Sequence, residues 1–415
     1  MQFNGTFRPW AGSVLAAWAC ASSAPACAAG EGTDSSSYSV VHGFVLRDGA
    51  GPVAGLVQDK SGRFFGTTLY GSSHGQGNVY RVAADGKFEV LHEFRGADGS
   101  KPATGLTLAK GGAFYGLTSA GGRFDGGTAF KIASDGTFTL LHSFGGKAND
   151  GSQATYGSLA LGADGNLYGA QSAGGSGGFG TLFKMTPAGE VTVLHQFQGG
   201  PKDGARPLGG LMLASDGNFY GTTQAGGAND AANQGGGTLY RLTPAGKVRV
   251  LYSFAGGPDR HVGREPEAAP RLGTDGLLYG VTSLGGSSDF GLVYRVDKDG
   301  AHFEELHAFR GGVRANTGKD GATPLAALLP TSDGSFYGTT YEGGENAGTT
   351  GTGAGTIFKI DRHGKYARLR GLGDGADDAA MPVGALVLGK DGHLYGTTWA
   401  GGRDTLHGTV FQFAR

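Results

Sequence analysis

The stretch GNFYGTTQAGG, residues 217–227, decides the fold. Read alone, it resembles the glycine-rich turn of a nucleotide-binding enzyme. Its relatives recur along the chain: GRFFGTTLYGS (62–72), GAFYGLTSAGG (112–122), GNLYGAQSAGG (165–175), GLLYGVTSLGG (276–286), GSFYGTTYEGG (334–344) and GHLYGTTWAGG (392–402). The motif glycine falls at 66, 116, 169, 221, 280, 338 and 396, with spacings of 50, 53, 52, 59, 58 and 58 residues, the range of propeller blades. A dinucleotide fingerprint needs glycines between a strand and a helix N-terminus. Here another strand pattern follows the glycines, so a phosphate loop is excluded by context.

Each unit contains four short apolar stretches. In the fourth unit they are GGLMLA (209–214), NFYGTT (218–223), GTLYRL (237–242) and KVRVLYSF (247–254), with SDG and TPAG as tight turns between the first and second and between the third and fourth. Four strands in each of seven units predict an all-β, seven-bladed β-propeller. The ends supply an independent check. YSVVHGF (38–44) copies the fourth strand and GTVFQFAR (408–415) copies the third, so an N-terminal strand is expected to complete the last blade and close the ring. Blades are then expected at 53–94, 103–144, 155–197, 208–254, 269–309, 325–372, and 383–415 with 38–44. One closed ring over 38–415 overrides the several domains that 415 residues suggest by length.

These residues resemble a known family. The combination dGnfYGTT, GG, GT-[VLI]-[FY]-[KR], LHxF and DGa-x-P is similar to the GloVer tandem-repeat proteins, over about residues 38–415. The resemblance implies an exported bacterial repeat scaffold and no common activity. This chain stops at a third strand, and no C-terminal anchor is expected.

The 84 glycines among 415 residues, regularly spaced, mark tight turns, and no long window shows helical periodicity. The 34 basic and 35 acidic residues nearly balance and no basic stripe appears, which argues against a nucleic-acid partner. Residues 1–28 read as a signal peptide, with Arg8, an apolar run from Trp10 to Ala21, and Ala-x-Ala cleavage after Ala26 or Ala28. Residues 29–37 form a flexible lead-in. The protein is therefore expected to be exported, to the periplasm or outside the cell, with no membrane span in the mature chain; the apolar run of the leader is itself too short for one. Both cysteines, Cys20 and Cys27, fall in the leader, so no disulfide or cysteine–zinc site is expected. Cys27 lacks the leucine three residues earlier that a lipid-attachment cysteine takes.

A residue present in every blade is explained by blade geometry, because one site does not need seven copies. The aromatic before the motif glycine is expected to pack between blades. The LHxF histidines (His42, His92, His142, His195, His307) sit at one equivalent position, replaced by Tyr252 and Arg370, and are expected to be structural rather than zinc ligands. The DG aspartates (Asp48, Asp98, Asp150, Asp203, Asp320, Asp374) suit hydrogen bonds to their own turn. Only GDGADD, with Asp374, Asp377 and Asp378, concentrates acids enough to be a weak cation candidate.

Function is therefore sought where the repeats differ. After the GTT the blades carry Leu69, Ser119, Ser172, Gln224, Ser283, Tyr341 and Trp399. Trp399, Tyr341, Leu69 and Tyr70, beside Glu342, Arg403, Asp404 and His407, form a candidate patch for a glycan or an envelope protein. The same aromatics also suit a cover for the glycine-rich loop beneath. Blade five departs too: AGGPDRHVGREPEAA (255–269) is charged, and Arg271 replaces an apolar residue near the channel, suited to an anion. The leading expectation is a non-enzymatic, monomeric binding propeller with its ligand on the loop face near blades five to seven and one, and no cofactor. The alternatives are a hydrolase or lyase with acids at the channel mouth, and a structural envelope protein. No nucleophile elbow, metal signature or Asp box supports the enzyme; SDGNFYG has the wrong spacing for the last.

Overall fold

The computed structural model describes residues 38–147, 149–228, 236–254, 262–311, 319–345, 353–375, 378–402 and 407–415. The predicted leader, the lead-in, Arg260, His261, Asp377, Arg403 and Asp404 lie outside them. Among the described residues every element is a strand, and seven antiparallel sheets form the blades of a β-propeller. Blade one shows the plan: Val57–Gln58, Phe64–Thr68, Asn78–Val82 and Phe88–Glu93 pair in that order from the axis outward. Tyr38–Gly43 pairs antiparallel with Thr409–Phe413, so the N-terminal strand completes the last blade.

The motif residues hold the blades. In all seven, the glycine stands directly across from an aromatic of the third strand, as Gly66 faces Tyr80 and Gly221 faces Tyr240. A methyl at Gly66 would lie 2.5 Å from the Tyr80 hydroxyl, and the other six sites are as tight or tighter. Glycine is therefore required by the ring lying over it. The aromatic before it packs on the next blade. Phe65 stacks on Phe114, Tyr168 on Phe219 and Tyr279 on Phe336 at centroid distances of 4.1–4.2 Å, and Tyr395 meets Phe64 across the closure at 4.1 Å. The threonines divide their work. Thr67, Thr222 and Thr397 donate to carbonyls of the following blade, while Thr118, Thr223, Thr340 and Thr398 bond a third-strand threonine at 2.8–2.9 Å.

The outer belt uses the histidines. His42, His92, His142, His195 and His307 lie 2.9–3.8 Å from the aspartates of the following DG turns. Their rings stack on the next outer strand where it offers an aromatic, as His92 on Phe138 at 3.7 Å. Tyr252 on Phe303 and Arg370 over Tyr38, 3.9 Å from its ring centre, are the same contact with other residues. The aspartates also cap their own turns, Asp98 taking the Arg95 N–H at 2.8 Å.

Two expectations are corrected. The inner strand is two residues long, Met212–Leu213 rather than 209–214. In six blades a proline interrupts it, removing a donor, and in all seven the preceding residue is left-handed. The segment before this break pairs separately with the residues after the GTT, as Gly204–Ala205 with Ala225–Gly226. In the last blade the capping aspartate is Asp378, not Asp374: it bonds Arg370 at 3.1 Å and accepts the Asp374 and Ala379 N–H groups. Asp378 stands eight residues after Arg370, the spacing of His142 from Asp150 and His195 from Asp203, and Asp374 falls four residues short of it.

Candidate functional site at the loop-face mouth

The break in the inner strand builds a ring around the axis. The residue before the break is Gly51, Lys101, Gln153, Arg206, Glu265, Thr323 or Met381, with φ from +54° at Lys101 to +63° at Gly51. Six of seven are not glycine, and most precede proline, where steric crowding pushes the backbone to extended conformations. The conformation is imposed from both sides. The Arg206 N–H donates to Phe179 O of the previous blade at 2.8 Å, and its carbonyl accepts the Gln224 N–H at 2.9 Å. Lys101 and Thr323 are held in the same way by Gln76 and Ser119, and by Phe290 and Tyr341. Residues held against their preference by the surrounding fold are a recurrent feature of binding sites. This ring therefore presents seven different residues from a repeated backbone.

The next residues inward close the axis. Val53, Ala103, Leu325 and Val383 are buried in one cluster with Tyr341 and Met381, and Tyr156, the extra residue of blade three, packs against it. These come from five consecutive blades, so the cluster reaches across the centre. Blade five places Glu267 where five blades are apolar (Val53, Ala103, Leu208, Leu325 and Val383) and blade three has Thr155. Glu267 is 5% exposed and accepts from Gln224 Nε2 at 3.2 Å and Ser283 Oγ at 3.4 Å. Burial pushes its carboxyl up to about 7, and the charge of Glu265 adds to this. Burial also raises Glu265, opposed by Arg264 and Arg206. Arg264 is itself held by Asp289 through bonds of 2.8–3.2 Å. Around this centre stand Arg206, whose Nη1 meets Gln224 Oε1 at 3.2 Å, and Lys101, whose ammonium lies 6.0 Å from the Tyr70 ring centre.

The profile of the Gloeobacter/Verrucomicrobia repeat matches residues 31–233 and 230–415. The chain belongs to that family. Among curated proteins, none matches the repeat chain by sequence. Solved structures share its fold. An oligogalacturonate lyase in complex with manganese is 14% identical with a TM-score of 0.53, covering 92% of this chain and 94% of the lyase. A puromycin hydrolase variant, S511A, is 17% identical with a TM-score of 0.55, over 85% of this chain and 50% of the hydrolase. At these identities the likeness is one of fold, and chemistry has to be argued from the repeat protein's own side chains.

Of the residues singled out in the sequence of this Gloeobacter/Verrucomicrobia repeat protein, four come together. Leu69, Tyr341 and Trp399 share the central cluster, and Tyr70 meets Trp399 edge-to-face at 6.2 Å. Trp399 lies over Gly51, where a methyl would stand 2.8 Å from the indole, so it does cover a loop glycine while remaining half-buried at the rim. Tyr341 is 8% exposed, and burial pushes its hydroxyl up to about 12. Glu342 bridges Ala322 through its backbone, and the His407 carbonyl accepts the Gly51 N–H at 2.9 Å. Arg271 is not brought to this cluster: it lies beyond the break, paired with Tyr279. No metal-binding group of acids, histidines or cysteines occurs among the described residues, and Asp378 is engaged by Arg370 as described. A cavity of about 640 Å³ at the six–seven seam, lined by Tyr38, His42, Arg370, Asp374 and Asp378, has its charges paired in the same network.

Tyr156 and six of the seven left-handed residues escaped the sequence reading, which took Glu265 and Glu267 only as acids available to pair with Arg271. The signal was present in DGa-x-P, whose x differs in every blade.

Proposed function

We propose that this protein is an exported binding propeller that takes a glycan at the loop-face mouth, on the side of blades five to seven and one. The observation that carries the reading is the ring of seven non-identical residues held left-handed beside the Tyr70–Trp399 pair. A sugar presents apolar faces for aromatic rings and hydroxyls for amide, guanidinium and carboxylate groups. Glu265 of blade five supplies such a group, and Gln153, Arg206 and Gln224 of blades three and four supply others from the same left-handed ring and its neighbouring loop. A protein partner is supported less, because the exposed large apolar residues (Leu46, Phe124, Leu140, Leu369 and Leu388) are scattered and none belongs to the mouth.

The test is a glycan array with the full chain, followed by titration of any hit against Trp399→Ala and Arg206→Ala. Both changes are expected to weaken binding at least tenfold, the loss of an aromatic or charged anchor at the centre of a site. Wild-type affinity in both variants would remove the proposed mouth, and an array without hits alongside a captured envelope protein would replace the glycan.

One observation favours a second reading. A buried carboxyl held near neutrality, as at Glu267, suits general acid–base catalysis on a bound sugar. Turnover of an array hit by the wild type and its loss in Glu267→Gln, with binding retained, would establish an enzyme in place of a lectin-like module.

A further inference from the structure

Blade five also carries a charge in its inner strand, at the first of the two paired residues. Six blades place Val57, Thr107, Ala160, Met212, Leu329 or Val387 there, and blade five places Arg271. Each stands across from the aromatic before the motif glycine, so Arg271 lies beside Tyr279 as Met212 lies beside Tyr220. That aromatic packs on the next blade, which puts Arg271 at the inner end of the seam between blades five and six, among Tyr279, Leu328 and Phe336. The inner strand is hydrogen-bonded on one edge only, leaving the other to the axis.

Among the described residues Arg271 has neither an ion pair nor a side-chain hydrogen bond. It is half-buried, and burial is the only influence on its pKa, which is pushed down with no acid opposing the fall. The acids nearest in sequence are engaged elsewhere. Asp275 accepts the Tyr279 hydroxyl at 2.6 Å, and Glu267 accepts from Gln224 and Ser283. A partly desolvated guanidinium without a partner is unfavourable, and its planar fork of donors matches an oxyanion bidentately. The central cluster with Tyr156 closes the loop-face end, so access is from the opposite face, that of the tight turns between the first and second strands of each blade.

We propose that Arg271 holds a small oxyanion, a carboxylate or phosphate group, at the inner end of the five–six seam, at a site separate from the loop-face mouth. The site does not depend on the glycan reading, since Trp399 and Tyr70 take no part in it.

The experiment measures thermal midpoints of the full chain in low-salt buffer with inorganic phosphate or acetate, against chloride at equal ionic strength. At about one hundred times the dissociation constant, an anion that binds only the folded ring raises the midpoint by about 3 °C. Arg271→Leu, which installs the residue of blade six, is expected to fold with an equal or higher midpoint and to lose the anion-specific rise. Arg271→Lys keeps the charge without the fork and is expected to bind about tenfold more weakly. It also serves as the readout should the leucine variant fail to fold. A larger rise with phosphate marks a phosphorylated ligand, and a larger rise with acetate marks an acidic sugar or peptide end. An equal rise in wild type and variant, or no rise above chloride with either anion, overturns the site. Retention of the rise in Trp399→Ala separates this outcome from failure of the glycan reading.

Discussion

Glu267→Gln is expected to change how stability depends on pH. The carboxyl is raised from 4.5 to about 7 by burial in a position that five of the other blades fill with apolar residues. At roughly 1.4 kcal/mol per pH unit, that displacement is worth about 3 kcal/mol. Between pH 4.5 and 7 the folded chain holds a proton that the unfolded chain has released. Stability therefore falls as pH rises through this window: the contribution is complete below 4.5 and lost above about 7. Glutamine keeps the acceptor for Gln224 and Ser283 but cannot ionise, so its stability lacks this term. Entropies of unfolding of roughly 2.1 cal/mol/K per residue over the ~380 residues of the ring convert 3 kcal/mol into about 4 °C. The thermal midpoint of the variant minus that of the wild type should thus grow by about 4 °C from pH 4 to pH 8, measured by circular dichroism in matched buffers. Groups common to both chains cancel in the difference, Glu265 included, because its rise comes from burial and Asp289 rather than from Glu267. Parallel midpoint curves for the two chains would refute the reasoning and place Glu267 in contact with solvent.

Two further experiments test the frame. Gly221→Ala drives a methyl against the Tyr240 ring and is expected to cost on the order of 1–3 kcal/mol by overpacking, read as a lowered denaturation midpoint; an unchanged midpoint would mean that the ring moves freely. The ring closure is tested by a double-mutant cycle of Tyr38→Leu and Arg370→Met, where a guanidinium 3.9 Å from the ring centre should give a coupling of about 1 kcal/mol, and additive losses would show that the stack contributes nothing.

The fold was legible because blade geometry is written seven times. A motif glycine under an aromatic, an aromatic facing the next blade, and a terminal strand copied out of order all follow from period and turn chemistry, and the structure places them accordingly. The interrupted inner strand was less legible, because a bend at DGa-x-P is set by contacts with two other segments. The Arg206 backbone, for example, is fixed by Phe179 and by Gln224, neither of which is local to it. Asp374 was misassigned for a related reason. Its motif letters match, but Asp378, four residues on, has the spacing from the outer strand that Asp150 and Asp203 have and takes the capping role. At the mouth, Trp399 and Tyr70 stood out by size. Glu267 did not, because a carboxylate in a charged loop looks solvated until the ring places it among the apolar residues of the other blades. Arg271 and Glu267 lie four residues apart in sequence, but Glu267 bonds Gln224 and Ser283 while Arg271 pairs with Tyr279, so they belong to separate sites.

The left-handed ring makes a last prediction about why the variety is there. A β-branched residue at φ +56°, as at Thr323, is an outlier that costs of the order of 1–2 kcal/mol. Glycine removes that cost and adds about 0.5–1 kcal/mol of unfolded-chain entropy. Thr323→Gly should therefore leave stability unchanged or raise it by up to about 1 kcal/mol, since blade one already carries glycine at this position in Gly51. If the side chains of the ring are kept for contact with a ligand, the same change should weaken glycan binding while the denaturation midpoint holds or rises. That combination is a trade of stability for function. A fall in midpoint of more than about 1 kcal/mol would instead assign Thr323 to the frame, and with it the argument that seven unlike residues on one repeated backbone mark a binding surface.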